Sequence, residues 1–283
     1  MTELQVDLDQ IERSAPDPEL AALLDPTDGP SPTGMPGTDG RLVRTVVPAA
    51  VVVGTSGGSG TTTTAWGLAA AVAERGLDAV AVDATPFGND LAERGCDLAA
   101  PISTLQRWLD DPAPGLPSRM RAFTGESSTG ARILDRSADP LPRWETFVSA
   151  HRHLGDAGMT PVYDGGGSLR SRLIGPLLAD PRIGLVVTVA ARADAVARLR
   201  PAMTWLDEQY STFAVSQVVI AVTRQSPTAP DAAALLTRGL GPWLRAVVDI
   251  PYDAHLATGT KIIWDELAPD TQQAYQRLLA ELQ

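Results

Sequence analysis

From about residue 41 onward the chain alternates short apolar runs with longer amphipathic stretches. The runs Ala49–Val53, Ala79–Asp83, Ala131–Leu134, Pro161–Asp164, Ile183–Ala190, Gln217–Thr223 and Ala246–Ile250 are rich in valine and apolar at successive positions. A strand covered on both faces needs that pattern, which predicts parallel strands. Segments near residues 62–76, 101–110, 142–154, 168–180, 192–209, 229–240 and 268–283 read as helices. The last sets Tyr275, Leu278, Leu279 and Leu282 on one face, as a helix docked on a core does. Strand–helix alternation over some 240 residues predicts an α/β fold, a doubly wound, mostly parallel β-sheet flanked by helices. Ligands of such sheets sit beyond the carboxyl ends of the strands.

Residues 1–40 break the pattern. They are rich in proline and carry nine acids against one base, so −8 of the total charge of −11 lies there. Such a segment buries too little apolar area to offset its chain entropy, and it is expected to be a disordered acidic tail preceding a domain over 41–283. The clusters Leu4-Val6-Leu8-Ile11 and Leu20-Leu23-Leu24 are its candidate partner contacts. A body carrying only −3 has no electrostatic footprint for nucleic acid. No apolar run approaches the roughly 18 residues of a membrane span, and the acidic start lacks the marks of a signal peptide. A lone cysteine, Cys96, cannot form an internal disulfide and is expected to be a partly buried small residue. A cytoplasmic protein without stable membrane anchoring is expected.

Candidate chemistry gathers at the ends of three predicted strands. The first runs into "GTSGGSGTTTT". Glycines there let successive N–H groups turn inward around a phosphate, and the following helix offers its positive end. Gly57, Gly58, Ser59 and Gly60 form the candidate cradle, continued by Thr61, Thr62 and Thr63. The second strand ends at Asp83 and the fourth at Asp164, within "VYDGGG". With the Thr62 hydroxyl, these carboxylates are the candidate Mg²⁺ ligands.

These motifs resemble the MinD/ParA class of P-loop ATPases, whose deviant loop reads Lys-Gly-Gly-x-Gly-Lys-Thr-Thr. The matching positions here are Ser56-Gly57-Gly58-Ser59-Gly60-Thr61-Thr62-Thr63. Within the class the chain is most similar to MinD-like proteins of the EspI type, associated with actinobacterial type VII (ESX) secretion. "DATPFGNDLAERG", "DGGGSLRSRLIGPLLAD" and the C-terminal "VVDIPYDAHLATGTKIIWDELAPDTQQAYQRLLAEL" carry that finer likeness. The resemblance implies a nucleotide site whose base lies against Thr223-Arg224 and Pro251-Tyr252-Asp253.

The departures from the pattern bear on function. In the class, the lysine at the Thr61 position grips the protein's own nucleotide, and the one at Ser56 reaches a partner's across a dimer. Both are hydroxyl residues here, and the second acid after Asp83 is Thr85. Arginine bias does not explain this, since the chain has 22 arginines to one lysine, Lys261, and drift would have kept the charge. A charge-assisted hydrogen bond is worth about 1.5–3 kcal/mol, or roughly 10- to 150-fold in affinity. The expectation is a degenerate Walker A loop that requires no cofactor and binds ATP or ADP with Mg weakly if at all. Asp83 and Asp164 are then remnants of a catalytic site, and any homodimer is independent of nucleotide. Such a pseudo-ATPase would act as a regulator or scaffold through protein partners, type VII secretion components among them. The alternatives are a slow ATPase with an atypical loop and a polar-localisation adaptor of the TadZ/CpaE kind. Trp66, in the first turns after the loop, is expected to crowd the pocket. His151 and His153, two apart on a predicted helix, diverge and are not expected to form a metal pair.

Overall fold

In the computed structural model the described residues are 47–86, 88, 90–141 and 145–283. The acidic segment 1–40 and the start of the helix expected over 142–154 lie outside them. Val47–Gln283 forms one unit around an eight-stranded sheet in the order β3-β4-β2-β5-β1-β6-β7-β8. The strands are β1 Ala50–Gly54, β2 Ala79–Asp83, β3 Gly125–Glu126, β4 Arg132–Leu134, β5 Thr160–Asp164, β6 Gly184–Ala190, β7 Val218–Thr223 and β8 Ala246–Ile250. All neighbours pair in parallel except β3 and β4.

The uninterrupted apolar runs have the cause expected of them. In β1, Val51 and Val53 enter the core on one face of the sheet, while Ala50 and Val52 enter the core on the other. On the second face lie α1 (Thr61–Glu74), α2 (Leu91–Gly95) and the C-terminal helix, here α11 (Pro269–Glu281). The first face is covered by α3 (Leu105–Leu109), α4 (Pro117–Phe123), α5 (Thr146–Asp156), α6 (Gly175–Leu178), α7 (Ala193–Gln209) and α9 (Ala232–Leu240). Two short helices, α8 (Thr212–Ser216) and α10 (Ala254–Ala257), complete the set.

Two predicted helices are shorter than their patterns suggest. Over 168–180 only Gly175–Leu178 is helical, because Pro176 lacks an N–H and fits only the first turn. Over 101–110 the helix begins at Leu105, since Thr104 is extended and Ile102 is solvent-exposed. The hairpin strand β3 and the short helices α2, α4, α8 and α10 carried no periodicity long enough to show.

The face read from the last helix is the one that docks: Tyr275, Leu278 and Leu279 are fully buried and Leu282 nearly so. Tyr275 lies flat on Gly67 of α1, where a Cβ would come within 2.5 Å of its ring. Trp264 joins the Tyr275 ring to Trp66 of α1, with centroids 6.3 and 6.2 Å away. Trp66 therefore points into the core beneath α2 and donates to Gly95 O at 3.1 Å. The expectation that it crowds the pocket is corrected: its side chain lies on the face of α1 that packs against α2.

Gly67→Ala tests this packing. Alanine would gain roughly 0.5–1 kcal/mol in helix propensity. Overpacking against a rigid ring costs about 1–3 kcal/mol and should dominate, lowering Tm by several degrees. Gly155→Ala, with open space in α5, should leave Tm unchanged or raise it. A Gly67→Ala protein that melts no lower than wild type would contradict the packing.

Candidate nucleotide site

β1 lies between β5 and β6, from which the chain winds outward in both directions, so its carboxyl end is the switch point where a ligand crevice opens. A cavity of about 730 Å³ lies there. Its floor is Ser56, Gly57, Gly58 and Gly60 with the first turn of α1, and Thr85, Gly166 and Gly167 line one side. Arg224, Pro251 and Asp253 line the other. Thus the separate strand-end motifs do converge on one crevice.

The loop has the shape of a phosphate cradle. Gly58 and Gly60 adopt positive φ of 73° and 79°, a backbone that side chains resist. Thr223 Oγ1 donates to Ser59 O at 3.0 Å, and Gln225 Nε2 donates to Gly58 O. These two latches hold loop carbonyls toward β7. Among the described residues, no backbone carbonyl takes the N–H of Gly57, Gly58, Ser59 or Gly60. The residues thus fit a phosphate through backbone donors, with Thr62 at the head of α1 as the hydroxyl candidate for Mg²⁺.

The side chain at the lysine position turns the other way. Thr61 Oγ1 lies 3.0 Å from Thr188 Oγ1 of β6 and 3.2 Å from Ser59 Oγ, and Ser59 lies 3.0 Å from Thr188. These three buried hydroxyls form a triangle beneath the loop. Ser59 is accordingly a support of the cradle and does not line the cavity. Gly54 makes room for the triangle, because a Cβ there would strike Ser59 Oγ. Ser56 Oγ is buried with no partner among the described residues.

Asp83 and Asp164 stand side by side at the ends of β2 and β5, fully buried behind the cavity wall. Thr85 donates its N–H and its hydroxyl to Asp83 Oδ1 at 2.9 and 2.7 Å, and Gly166 N–H donates to Asp164 Oδ1 at 3.0 Å. Where the resemblance implied a second acid, a hydroxyl therefore caps the first. Asp135, one residue past β4, feels the charge of Asp83. Burial and the Asp83 charge push its pKa up to about 6. The Arg136 guanidinium is buried beside them and donates to the carbonyl oxygen of Thr85.

On the opposite wall, Arg224 is held by Asp249 at 2.9 and 3.0 Å and by Asp231 at 3.2 Å. Asp253 accepts from the N–H groups of His255, Leu256 and Ala268, so its carboxylate caps α10 and anchors the segment before α11. The histidines diverge as expected. His151 Nδ1 lies 3.1 Å from Tyr163 OH, and His153 packs edge-on to Trp108. Cys96 is fully buried, its thiol pushed up to about 11 by burial. Among the described residues, no cluster of three or more acids, histidines or cysteines could hold a metal, and no helix could cross a membrane.

Comparison with known proteins agrees with this geometry. Residues 50–230 match the CobQ/CobB/MinD/ParA nucleotide binding domain. The chain belongs to this family. It is 27% identical over 247 residues to the ESX-1 secretion-associated protein EspI of Mycobacterium tuberculosis, covering 82% of this chain. It spans only 35% of that relative's length. A ParA family ATPase from Chlorobium tepidum superposes with a TM-score of 0.65 at 14% identity, covering 83% of this chain and 98% of its own. MinD from Pyrococcus horikoshii, solved with Mg-ADP, superposes at 0.55 and 17% identity, covering 83% and 96%. At such identities these structures speak to the family fold.

The Asp83–Asp135 pairing gives a pH signature. Asp135 has a folded pKa above its ordinary value, so the stability tied to its protonated form is complete below about pH 4 and lost as pH rises through about 6. Asp135→Asn should therefore raise Tm at about pH 7.5 and leave it unchanged near pH 4. Equal effects in thermal melts at the two pH values would exclude the coupling.

Proposed function

We propose that the chain is a non-hydrolysing member of its family, a pseudo-ATPase with a weakened nucleotide site. It acts as a regulatory or scaffold protein through protein contacts linked to type VII secretion. One observation carries the reading: the Thr61 hydroxyl is tied into the buried triangle with Ser59 and Thr188, where the family pattern has a lysine. The loop keeps its backbone donors without a cation, and Thr85 stands in for the second acid. Preorganised charge at the transferring phosphate is the largest part of phosphoryl-transfer catalysis, and here the loop supplies none. The secretion link rests on the likeness to EspI. The acidic residues 1–40, outside the described part, are the proposed partner-binding segment. Ser56 has no charge to extend to a second copy, so self-association is independent of nucleotide.

A second reading is a slow ATPase. Asp83 and Asp164 in register behind the cavity wall, with Thr62 lining the cavity, favour it. Mg·ATP turnover decides between the two. Wild type should show none above buffer, and turnover abolished by Asp83→Ala would establish the slow enzyme.

Thr61→Lys should tighten Mg·ATP binding in calorimetry by roughly 10- to 150-fold. It should not create turnover, because Ser56 and Thr85 are unchanged. An unchanged affinity with the fold intact by circular dichroism would mean that the loop is purely structural.

Deleting residues 1–40 should leave Tm unchanged while abolishing partner capture. A drop of many degrees would make the segment part of the fold.

A further inference from the structure

One wall of the cavity, built from α1, α2 and α11, holds three buried polar atoms with no partner among the described residues: Thr64 Oγ1, Arg94 Nε and Tyr275 OH. Thr64 is 1% and Tyr275 0% exposed. Leaving such groups unpaired is costly, and three on one stretch of wall point to something that pairs them. Gly67 lies under the Tyr275 ring, one turn beyond Thr63 and Thr64, so these groups share one face of α1.

The charges lining the cavity are unequal. Arg224 is already matched by the carboxylates of Asp249 and Asp231. Among the described residues, Arg94 is paired with Asp90, at 3.8 Å, and donates to the neutral Thr63 Oγ1 at 3.1 Å. Its backbone is held firmly. Ile262 N–H donates to Arg94 O at 2.7 Å, Trp66 Nε1 to Gly95 O at 3.1 Å and Lys261 Nζ to Cys96 O at 3.0 Å. Gly95 cannot carry a side chain, because a Cβ would come within 2.6 Å of Trp66. Arg94 is thus a preorganised, weakly compensated cation beside the first turn of α1, lining the same cavity as the loop.

We propose that Arg94 supplies from α2 the positive charge that the loop lacks, and that this wall binds a phosphate group of a mononucleotide. The Thr64 and Tyr275 hydroxyls are its neighbouring donors. The inference rests on reading the cavity as a weakened nucleotide site. A polyanion suits the place because it alone spans both the loop N–H groups and Arg94, and a guanidinium grips phosphate through a planar fork.

The test is titration calorimetry with Mg·ADP and Mg·pyrophosphate on wild type and on Arg94→Gln, Arg94→Lys, Asp90→Asn and Tyr275→Phe. Arg94→Gln should weaken Mg·ADP by roughly 10-fold or more, and Arg94→Lys should keep much of the affinity. Asp90→Asn should tighten binding several-fold by removing the competing carboxylate. Tyr275→Phe should weaken binding while melting no lower than wild type, since its hydroxyl has no partner among the described residues. Unchanged affinity in Arg94→Gln would overturn the proposal, as would the absence of heat with either probe in wild type. If Arg94→Gln melts early, Asp90→Asn decides, and no gain in affinity overturns the assignment. Mg·ADP binding more tightly than Mg·pyrophosphate supports a nucleotide, whereas equal affinities overturn it in favour of free polyphosphate. Mg·ATP turnover that depends on Arg94 would sink the non-hydrolysing reading and leave this inference standing.

Discussion

The carboxyl end of the sheet depends on how β1 passes into α1 over three buried hydroxyls. Ser59, Thr61 and Thr188 satisfy one another within 3.2 Å, in space that exists because Gly54 has no Cβ. An ammonium could not enter such a triangle without a large desolvation cost, whereas hydroxyls that pair are buried cheaply. The loop above keeps the curvature of a phosphate cradle, with Gly58 and Gly60 at positive φ and their carbonyl side latched to β7. The cradle is thus retained as backbone and lost as charge. The triangle makes the loop self-sufficient as a turn.

A second constraint links the far end of the chain to the same crevice. Tyr275 on Gly67, Trp264 on Tyr275 and Trp66 on Trp264 form a continuous aromatic seam between α11 and α1. Trp66 and the segment at Lys261–Ile262 then hold the end of α2 through its carbonyls. The position of Arg94 follows from that packing. A positive charge therefore stands on the wall of the cavity, beside the first turn of α1.

The electrostatics behind the cavity follow a similar logic. Asp83 and Asp164 lie in register on adjacent strands with no exposure, and each is met by local donors from the turn that follows it. Asp135 adds a third carboxyl, which burial and Asp83 hold partly protonated toward neutral pH. Thr85 and the Gly166 N–H satisfy part of the demand of the two strand-end carboxylates. Membership of the family is carried by the matched domain over 50–230 and the fold, and neither depends on the loop being active.

The sequence by itself determined the layers, the strands and the convergence of their ends. Consecutive valines can be buried only between two helical layers, and a glycine-rich turn between such a strand and a helix has few conformations open to it. It also determined the missing charge, since Ser56 and Thr61 are neutral in any fold. Tertiary structure alone decided where the neutral side chains and remaining cations went. Thr188, 127 residues from Thr61, completes the triangle through β6 pairing. Arg94 reaches the cavity because Trp66 turns under α2, and Tyr275 because the last helix returns to Gly67. Short helices such as α2 carry no periodicity to read, and contacts between distant segments leave no local pattern. The backbone of the site was therefore legible in the residues, and its electrostatics came only from packing.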